Sequence, residues 1–175
     1  MTNFTLPLQK DISNANKLIL EHFVKTAGFI PNIYKVMAYS ETALATFIKF
    51  SNTVKSLSKR ETELINLVIS QENECQYSLC AHTFFGKMNG YSDQQIMEIR
   101  KGKASFDLKL NALAIITKEI ALNKGRPTDE TLKTFYKAGY SKENLIDLLL
   151  AMCAIMCTNF LNNLANIPID FPDVP

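Results

Sequence analysis

The chain lacks a strong net charge of either sign. Its 19 Lys and Arg residues are nearly balanced by 17 Asp and Glu residues, which gives a formal net charge of +2. The basic residues are scattered among acidic ones, so the sequence argues against a nucleic-acid partner. With 47% hydrophobic and 21% charged residues, the composition is that of an ordinary globular protein, and we expect one domain spanning residues 1–175.

Long hydrophobic runs are also absent. The longest run, Leu148 to Cys157, has ten residues, about half of what a membrane-spanning helix needs. Met1 to Asp11 lacks the basic region and apolar run of a signal peptide. We therefore expect no membrane association and a cytoplasmic location. The four cysteines should then be reduced, which favours catalytic or packing roles over a disulfide framework.

Alternating, strand-like patterns are nearly missing, whereas helix start and stop signals recur along the chain. Ser58 to Glu61 and Ser92 to Gln95 have the form of capping boxes, which open helices. The sequence therefore predicts an all-α fold, a compact bundle of about eight helices. Other predicted helices are Asn14 to Lys25, a short one after Pro31, Ser40 to about Leu57, Leu108 to Lys124, and two that begin at Thr128 and Ser141.

Two of these helices have apolar residues nearly all around their axes. The helix from Glu61 to Asn73 leaves only a narrow polar stripe, Glu63, Asn66 and Ser70, which we expect to face water or a cavity. The helix from Leu145 to Leu164 is predicted to be either the core or part of a subunit interface. Its two cysteines, Cys153 and Cys157, are predicted to pack in the core, and they have no nearby His or acid that would make a metal site. No cofactor or metal is expected elsewhere.

The segment from Cys75 to His82 carries two of the four thiols and one of the two histidines. If a helix begins near Cys75, a turn of about 100° per residue places Ser78 and His82 on the same face as Cys75, whereas Cys80 points away. The start of a helix favours thiolate over thiol, so Cys75 is the candidate nucleophile. Cys80 is predicted mainly to pack, and Tyr77 and Phe84 are also interpreted as packing residues.

His82 lies about 10.5 Å along the helix axis from Cys75, too far for direct contact. We expect Ser78 or a water molecule to connect the two side chains. Glu63, on the preceding helix, is the candidate general base.

These residues match a known family. The run Cys-x-Tyr-x-x-x-Ala-His, preceded by Arg60-Glu61, Glu63 and Asn73, resembles the carboxymuconolactone decarboxylase and alkyl hydroperoxidase D-like superfamily. The Gly-Phe-Ile-Pro-Asn run at residues 28–32 and the ending from Asn162 to Pro172 are similar to its peroxidase-related branch. The resemblance implies an all-helical fold that assembles as trimers or hexamers.

The same resemblance implies site residues. Peroxidase members carry Cys-x-x-Cys followed four residues later by His, with a relay Glu on the preceding helix. Glu63, Cys75 and His82 match the Glu, the first Cys and the His, but Ser78 stands where the second Cys is expected. Serine cannot form a sulfenic acid or a disulfide. Three explanations stay open: Ser78 is an engineered replacement, Cys75 or Cys80 works as a single thiol, or the peroxidase chemistry is lost.

The sequence therefore favours a thiol-dependent antioxidant peroxidase that reduces small organic hydroperoxides and is recycled by a thiol or disulfide reductant protein. One alternative is a decarboxylase-like lyase that acts on a lactone or related carboxylate with His82 and Glu63 as acid and base. The other is a non-catalytic assembly protein that keeps the fold.

Overall fold

The computed structural model describes residues 5–174, so the first four residues of the segment predicted to lack a signal peptide lie outside it. Within that range the protein contains nine α-helices, a short 3-10 helix at Gln9–Asp11, and no strand. The prediction of an all-α fold is confirmed. The helices are α1 (Asn14–Ala27), α2 (Asn32–Met37), α3 (Ala43–Ser51), α4 (Lys59–Glu72), α5 (Gln76–Met88), α6 (Asp93–Arg100), α7 (Leu108–Leu122), α8 (Asp129–Lys137) and α9 (Lys142–Ala165).

Most helix starts follow from local capping chemistry. The Ser58 hydroxyl accepts a hydrogen bond from the Glu61 amide at 3.2 Å, and the Glu61 carboxylate accepts one from the Ser58 amide at 2.8 Å. Ser92 and Ser141 form the same reciprocal pattern, and Thr128 caps α8. Each of these arrangements satisfies amide protons that the first turn of a helix leaves unpaired.

Helix α3 is shorter than predicted at both ends. Thr42, not Ser40, is its N-cap residue, and the helix ends at Ser51 instead of near Leu57. The Asp147 carboxylate on α9 accepts the amide protons of Lys55 and Ser56 at 2.9 and 2.8 Å. In a longer helix these amides would donate to backbone carbonyls one turn earlier. Their hydrogen bonds to Asp147 therefore favour a chain that has already left the helix at residues 55 and 56.

Helix α4 is the central element. It packs against α5, α6, α7 and α9, and its apolar side chains, such as Leu64, Ile65 and Leu67, are completely buried. Glu63 and Asn66 on the predicted polar stripe are partly exposed. Ser70, the third residue of the predicted stripe, is completely buried and donates a hydrogen bond to Asn159 Oδ1 at 3.4 Å, so it does not face water as expected. Only the Glu63 and Asn66 part of the stripe lies where α4 leaves the apolar core.

Helix α9 buries one face and exposes the other. Leu148, Met152 and Ile155 lie in the core with α4, whereas Cys153 and Cys157 are exposed. The prediction that these two cysteines belong to the core was wrong, because apolar residues surround this helix and their spacing cannot identify the buried face.

By length and composition, α9 is the one helix in the described residues that could cross a membrane, and 33% of its most apolar stretch is buried inside the protein. A single helix of this kind is weak evidence, since core helices of water-soluble proteins pass the same test.

After α9 the chain turns back over the starts of α2 and α5. Asn166 ends the helix in a left-handed conformation, with φ 49°. The Asp170 carboxylate then accepts hydrogen bonds from the Asn32 amide and the Tyr77 hydroxyl, each at 2.7 Å. Burial and this acidic partner both raise the pKa of Tyr77 above its usual value. The C-terminal segment is thereby held against the region where the candidate site residues lie.

Candidate active site

Helices α4 and α5 bring Glu63 and His82 together. A Glu63 carboxylate oxygen, Oε2, lies 2.8 Å from His82 Nδ1, and the two side chains are 15% and 18% exposed. Because an ionised carboxylate only accepts hydrogen bonds, this contact assigns the ring proton to Nδ1. The second ring nitrogen, Nε2, has no hydrogen-bond partner within the described residues.

Asn66 completes the surroundings of this pair. It lies one turn after Glu63 on α4, and its side-chain nitrogen is 3.3 Å from His82 Nδ1. Glu63 and Asn66 thus flank the same ring nitrogen and limit how the imidazole can turn.

Cys75 is the N-cap residue of α5, but its sulfur is fully buried. The thiol lies 3.3 Å from the Ser78 hydroxyl and 3.5 Å from the Asn162 side-chain nitrogen, and apolar residues surround the rest of it. Cys75 is not among the residues that line the neighbouring cavity. The structure therefore does not place this sulfur on a surface that it shares with His82.

Ser78 lies between the thiol and that cavity. It is only 2% exposed, yet it lines the cavity together with His82. Ser78 was expected to connect Cys75 with His82, and the 3.3 Å distance between Sγ and Oγ gives the Cys75 half of that connection. Within the described residues, no hydrogen bond joins Ser78 to His82. The group that faces the cavity at this position is thus a hydroxyl.

Cys80 points elsewhere, towards the C-terminal segment. Its buried sulfur lies 3.9 Å from the Asp173 carboxylate and 3.8 Å from the Gln76 amide nitrogen. Burial, reinforced by the negative charge of Asp173, raises the pKa of the Cys80 thiol. Cys75 and Cys80 are both free thiols with different neighbours.

The cavity beside Ser78 and His82 has a volume of about 490 Å³. No Lys, Arg, Asp or Glu is among its lining residues in the described part of the chain. It is lined mainly by aromatic and aliphatic side chains: Phe23, Phe29, Pro31, Ile33, Tyr34, Tyr77, Ala81, Phe84, Phe85, Met88, Thr158 and Phe171. Such a cavity suits a small, uncharged and largely apolar molecule.

A second, smaller cavity of about 160 Å³ lies on the other side of His82. Phe47, Asn66 and Ile155 are among its lining residues. His82, Tyr34 and Thr158 line both cavities. The imidazole therefore lies at the boundary between them.

Two parts of the site were not predicted from the sequence. The first is Phe171, whose ring contacts Tyr77, Phe84 and Phe85 with centroid separations of 5.8, 6.2 and 5.7 Å and forms one cavity wall. The second is Tyr34 on α2. Tyr77 and Phe84, interpreted as packing residues, also line the cavity. The resemblance of residues 162–172 to the peroxidase-related branch was the one signal that pointed to the C-terminal segment.

No group of three or more His, Cys, Asp or Glu side chains suited to a metal ion occurs in residues 5–174. The catalytic roles assigned to Glu63, Cys75, Ser78, His82 and Cys80 stay predictions.

Comparisons with known proteins agree with this architecture. Residues 41–119 match the model of the carboxymuconolactone decarboxylase family. No curated protein matches the chain in sequence.

Among solved structures, the chain is similar to an uncharacterized peroxidase-related protein from Silicibacter sp. TM1040, with 19% identity, a TM-score of 0.83, and coverage of 95% of this chain and 91% of that one. An alkylhydroperoxidase AhpD core protein from Ralstonia eutropha JMP134 has 16% identity, a TM-score of 0.84, and coverage of 98% and 92%.

The debrominase Bmp8, in complex with 2,3,4-tribromopyrrole, has 14% identity, a TM-score of 0.78, and coverage of 97% of this chain and 93% of its own. At these identities the structural matches establish the fold alone. The match over residues 41–119, a segment that contains Glu63, Cys75 and His82, and the similar helical fold of the solved structures confirm the resemblance predicted from the sequence.

Proposed function

We propose that the protein is an enzyme that transfers protons on small, neutral, largely apolar carbonyl compounds, with His82 as the acid and base and Glu63 as the residue that orients it. This is the acid and base alternative predicted from the sequence. The observation that carries the proposal is the 2.8 Å contact between Glu63 and His82 beside a largely apolar cavity whose described lining residues include no cysteine.

The chemistry follows from the tautomer. Glu63 accepts the Nδ1 proton, so Nε2 keeps a lone pair that can remove a proton from the carbon next to a carbonyl group. The electron pair of that C–H bond moves to the carbonyl oxygen and gives an enolate. Return of the proton to the same carbon gives exchange, and its return to another carbon gives isomerisation. Loss of a leaving group from the enolate gives the elimination expected of a lyase.

The lining of the cavity limits the substrate class. A substrate with a carboxylate would have no cationic partner among the described lining residues, and burying that charge unpaired is costly. We therefore narrow the predicted lactone or carboxylate to uncharged carbonyl compounds, lactones included. Bmp8, which has a similar fold, binds 2,3,4-tribromopyrrole. That ligand is, like the substrates proposed here, a small and uncharged molecule.

The experiment is hydrogen exchange at carbon. α-Tetralone is incubated with the protein in D₂O. Proton NMR then follows the loss of the signal from the protons on the carbon next to the carbonyl group. We expect His82→Gln to lower the exchange rate by about 10² to 10⁴, the usual contribution of a general base. Glu63→Gln should lower it less, because the base is still present but poorly oriented. Cys75→Ala, the matched control, should keep the wild-type rate. Absence of exchange above the buffer rate would refute this proposal.

The second candidate is the thiol-dependent peroxidase predicted from the sequence, and the position of Cys75 as the N-cap residue of α5 favours it, because a helix start favours thiolate over thiol. Cys75 would attack the hydroperoxide, giving a sulfenic acid and the corresponding alcohol. Two thiols of a reductant protein would then return the sulfenic acid to the thiol, releasing water and a disulfide. This chemistry needs Ser78 to move, because its side chain separates the sulfur from the cavity.

Cumene hydroperoxide with dithiothreitol as the reductant tests the second candidate. Peroxide consumption that is abolished in Cys75→Ala and kept in Cys80→Ala would support it. Equal rates in the wild type and in Cys75→Ala would refute it. Because the two assays use different substrates and respond to different variants, each candidate can fail independently.

We also propose that the protein forms a homo-oligomer through α9, as the resemblance to trimeric and hexameric proteins suggests. Exposed apolar residues are spaced three or four apart along this helix, which makes one stripe suited to pairing with a second copy. The stripe consists of Ile146, Leu149, Cys153, Cys157, Phe160 and Leu164. The cytoplasmic location stays a prediction.

A further inference from the structure

Tyr34 has an unusual position in the site. Its ring stacks on Phe23, with a centroid separation of 4.8 Å, and lies 6.3 Å from the ring of Phe47. Phe23 lines the large cavity and Phe47 lines the small one. Tyr34 is therefore held between two aromatic rings at the boundary of the two cavities, beside His82.

The hydroxyl of Tyr34 has no hydrogen-bond partner among residues 5–174, although such groups are usually paired when they lie inside a protein. Tyr77 lines the same cavity but differs in this respect. Its hydroxyl donates to Asp170 at 2.7 Å and accepts from the Ile33 amide at 3.2 Å. Of these two phenols, only Tyr34 has a hydroxyl still available to a ligand.

The Tyr34 hydroxyl also stays protonated near neutral pH. Burial, and secondarily the nearby Glu63 carboxylate, raise the pKa of Tyr34 above its ordinary value. A neutral phenol beside a base donates a hydrogen bond to an oxygen acceptor without adding charge to an apolar cavity.

We propose that Tyr34 donates the hydrogen bond that holds the substrate's carbonyl oxygen, so that the ligands of this cavity combine an apolar body with one acceptor oxygen. The inference rests on the proposed function and names the group that stabilises the negative charge as it develops on the substrate oxygen. When His82 Nε2 removes the proton from the substrate carbon, the electron pair moves to the carbonyl oxygen that accepts the Tyr34 hydrogen bond. That hydrogen bond strengthens as the enolate forms. No oxidant, reductant or further reactant is needed.

The test uses two probes with one carbon skeleton, α-tetralone and tetralin, which differ by the carbonyl oxygen. Dissociation constants are measured by titration calorimetry for the wild type and for Tyr34→Phe. Removing one net hydrogen bond should weaken α-tetralone binding by about three- to tenfold. Tetralin binding should change by less than about twofold, because the ring of residue 34 is kept.

Tyr77→Phe is the matched control, since it removes a hydroxyl from the same cavity wall that is already bonded within the protein. Loss of its hydrogen bond to Asp170 loosens the cavity wall for both probes alike, so Tyr77→Phe should change both dissociation constants by the same factor and leave their ratio unchanged. In the infrared spectrum, the carbonyl stretch of bound α-tetralone should lie at lower wavenumber in the wild type than in Tyr34→Phe. This signature reports the hydrogen bond itself and is insensitive to a merely structural role.

Equal weakening of both probes by Tyr34→Phe, or no change in either, would overturn the inference. Failure of α-tetralone to bind the wild type would also overturn it. If the oxygen-dependent selectivity is found but no proton exchange occurs, the proposed reaction fails while the role of Tyr34 in binding is supported.

Discussion

Replacing Asp170 with alanine should destabilise the protein and loosen the cavity wall that contains Phe171. The Asp170 carboxylate accepts two short hydrogen bonds, from the Asn32 amide and the Tyr77 hydroxyl, both at 2.7 Å. Hydrogen bonds to a charged group contribute about 1.5 to 3 kcal/mol each. Since the carboxylate is partly exposed, water compensates for some of the loss. We expect Asp170→Ala to lower the free energy of unfolding by about 2 to 4 kcal/mol.

Equilibrium unfolding in urea measures this change, and Asp173→Ala is the control. Asp173 is exposed on the same segment. Its carboxylate accepts a hydrogen bond from the adjacent Val174 amide and lies 3.9 Å from the Cys80 sulfur, which is a weak donor, so its replacement should cost less than about 0.5 kcal/mol. A double-mutant cycle with Tyr77→Phe should give a coupling energy of about 1 to 2 kcal/mol. Equal stabilities of the two alanine variants, or a coupling energy near zero, would refute the assignment of Asp170 as the residue that fixes the segment.

Acidification should destabilise the protein through Glu61: burial opposes its charge, but hydrogen bonds chiefly from Ser58 outweigh that effect and lower its pKa below 4.5. Its contribution to stability is therefore complete above about pH 4.5 and is lost as the pH falls through the lower folded-state pKa. Between pH 6 and pH 3, the urea midpoint of Glu61→Gln should fall less steeply with decreasing pH than that of the wild type, and equal pH dependence of the two midpoints would contradict this. Ser78→Cys should add a thiol on the cavity wall and make hydroperoxide consumption faster than in the wild type, with a mass loss of two hydrogens if it forms a disulfide with Cys75; an unchanged rate and mass would count against redox chemistry at this position. Oxidation with copper phenanthroline should link two protomers through Cys153 or Cys157, which gives a dimer band on non-reducing gels that is lost when both cysteines are replaced with serine. Exclusively monomeric wild-type protein after oxidation would argue against pairing through α9.

Local chemistry explains which parts of the fold could be predicted. Ser58, Ser92, Thr128 and Ser141 cap helices through side chains within three residues, so their signals are complete in the sequence. The end of α3 was missed because it depends on Asp147, about 90 positions away. A contact with so large a separation leaves no periodic trace near the helix that it ends.

The candidate site shows the same division. The pairing of Glu63 with His82 was expected, because the polar stripe of α4 and the family motif both pointed to it. The burial of Cys75 was not, since it is produced by Asn162 and by residues of α1, α2 and α3 that pack around the start of α5. Spacing along α5 placed Cys75, Ser78 and His82 near one face, but it could not show that the sulfur lies behind that face.

This arrangement makes position 78 the point at which two kinds of chemistry separate. The proposed proton transfer uses the Glu63 and His82 pair, the Tyr34 hydroxyl and a neutral ligand beside them, and a hydroxyl at position 78 hinders none of these. Thiol chemistry needs a sulfur that a peroxide can reach, and Ser78 covers the buried sulfur at 3.3 Å. A protein that kept His82, Glu63 and the apolar cavity while a hydroxyl took the cavity-facing position would keep proton transfer and lose rapid peroxide reduction. Measuring both activities in Cys75→Ala therefore separates the two proposed functions.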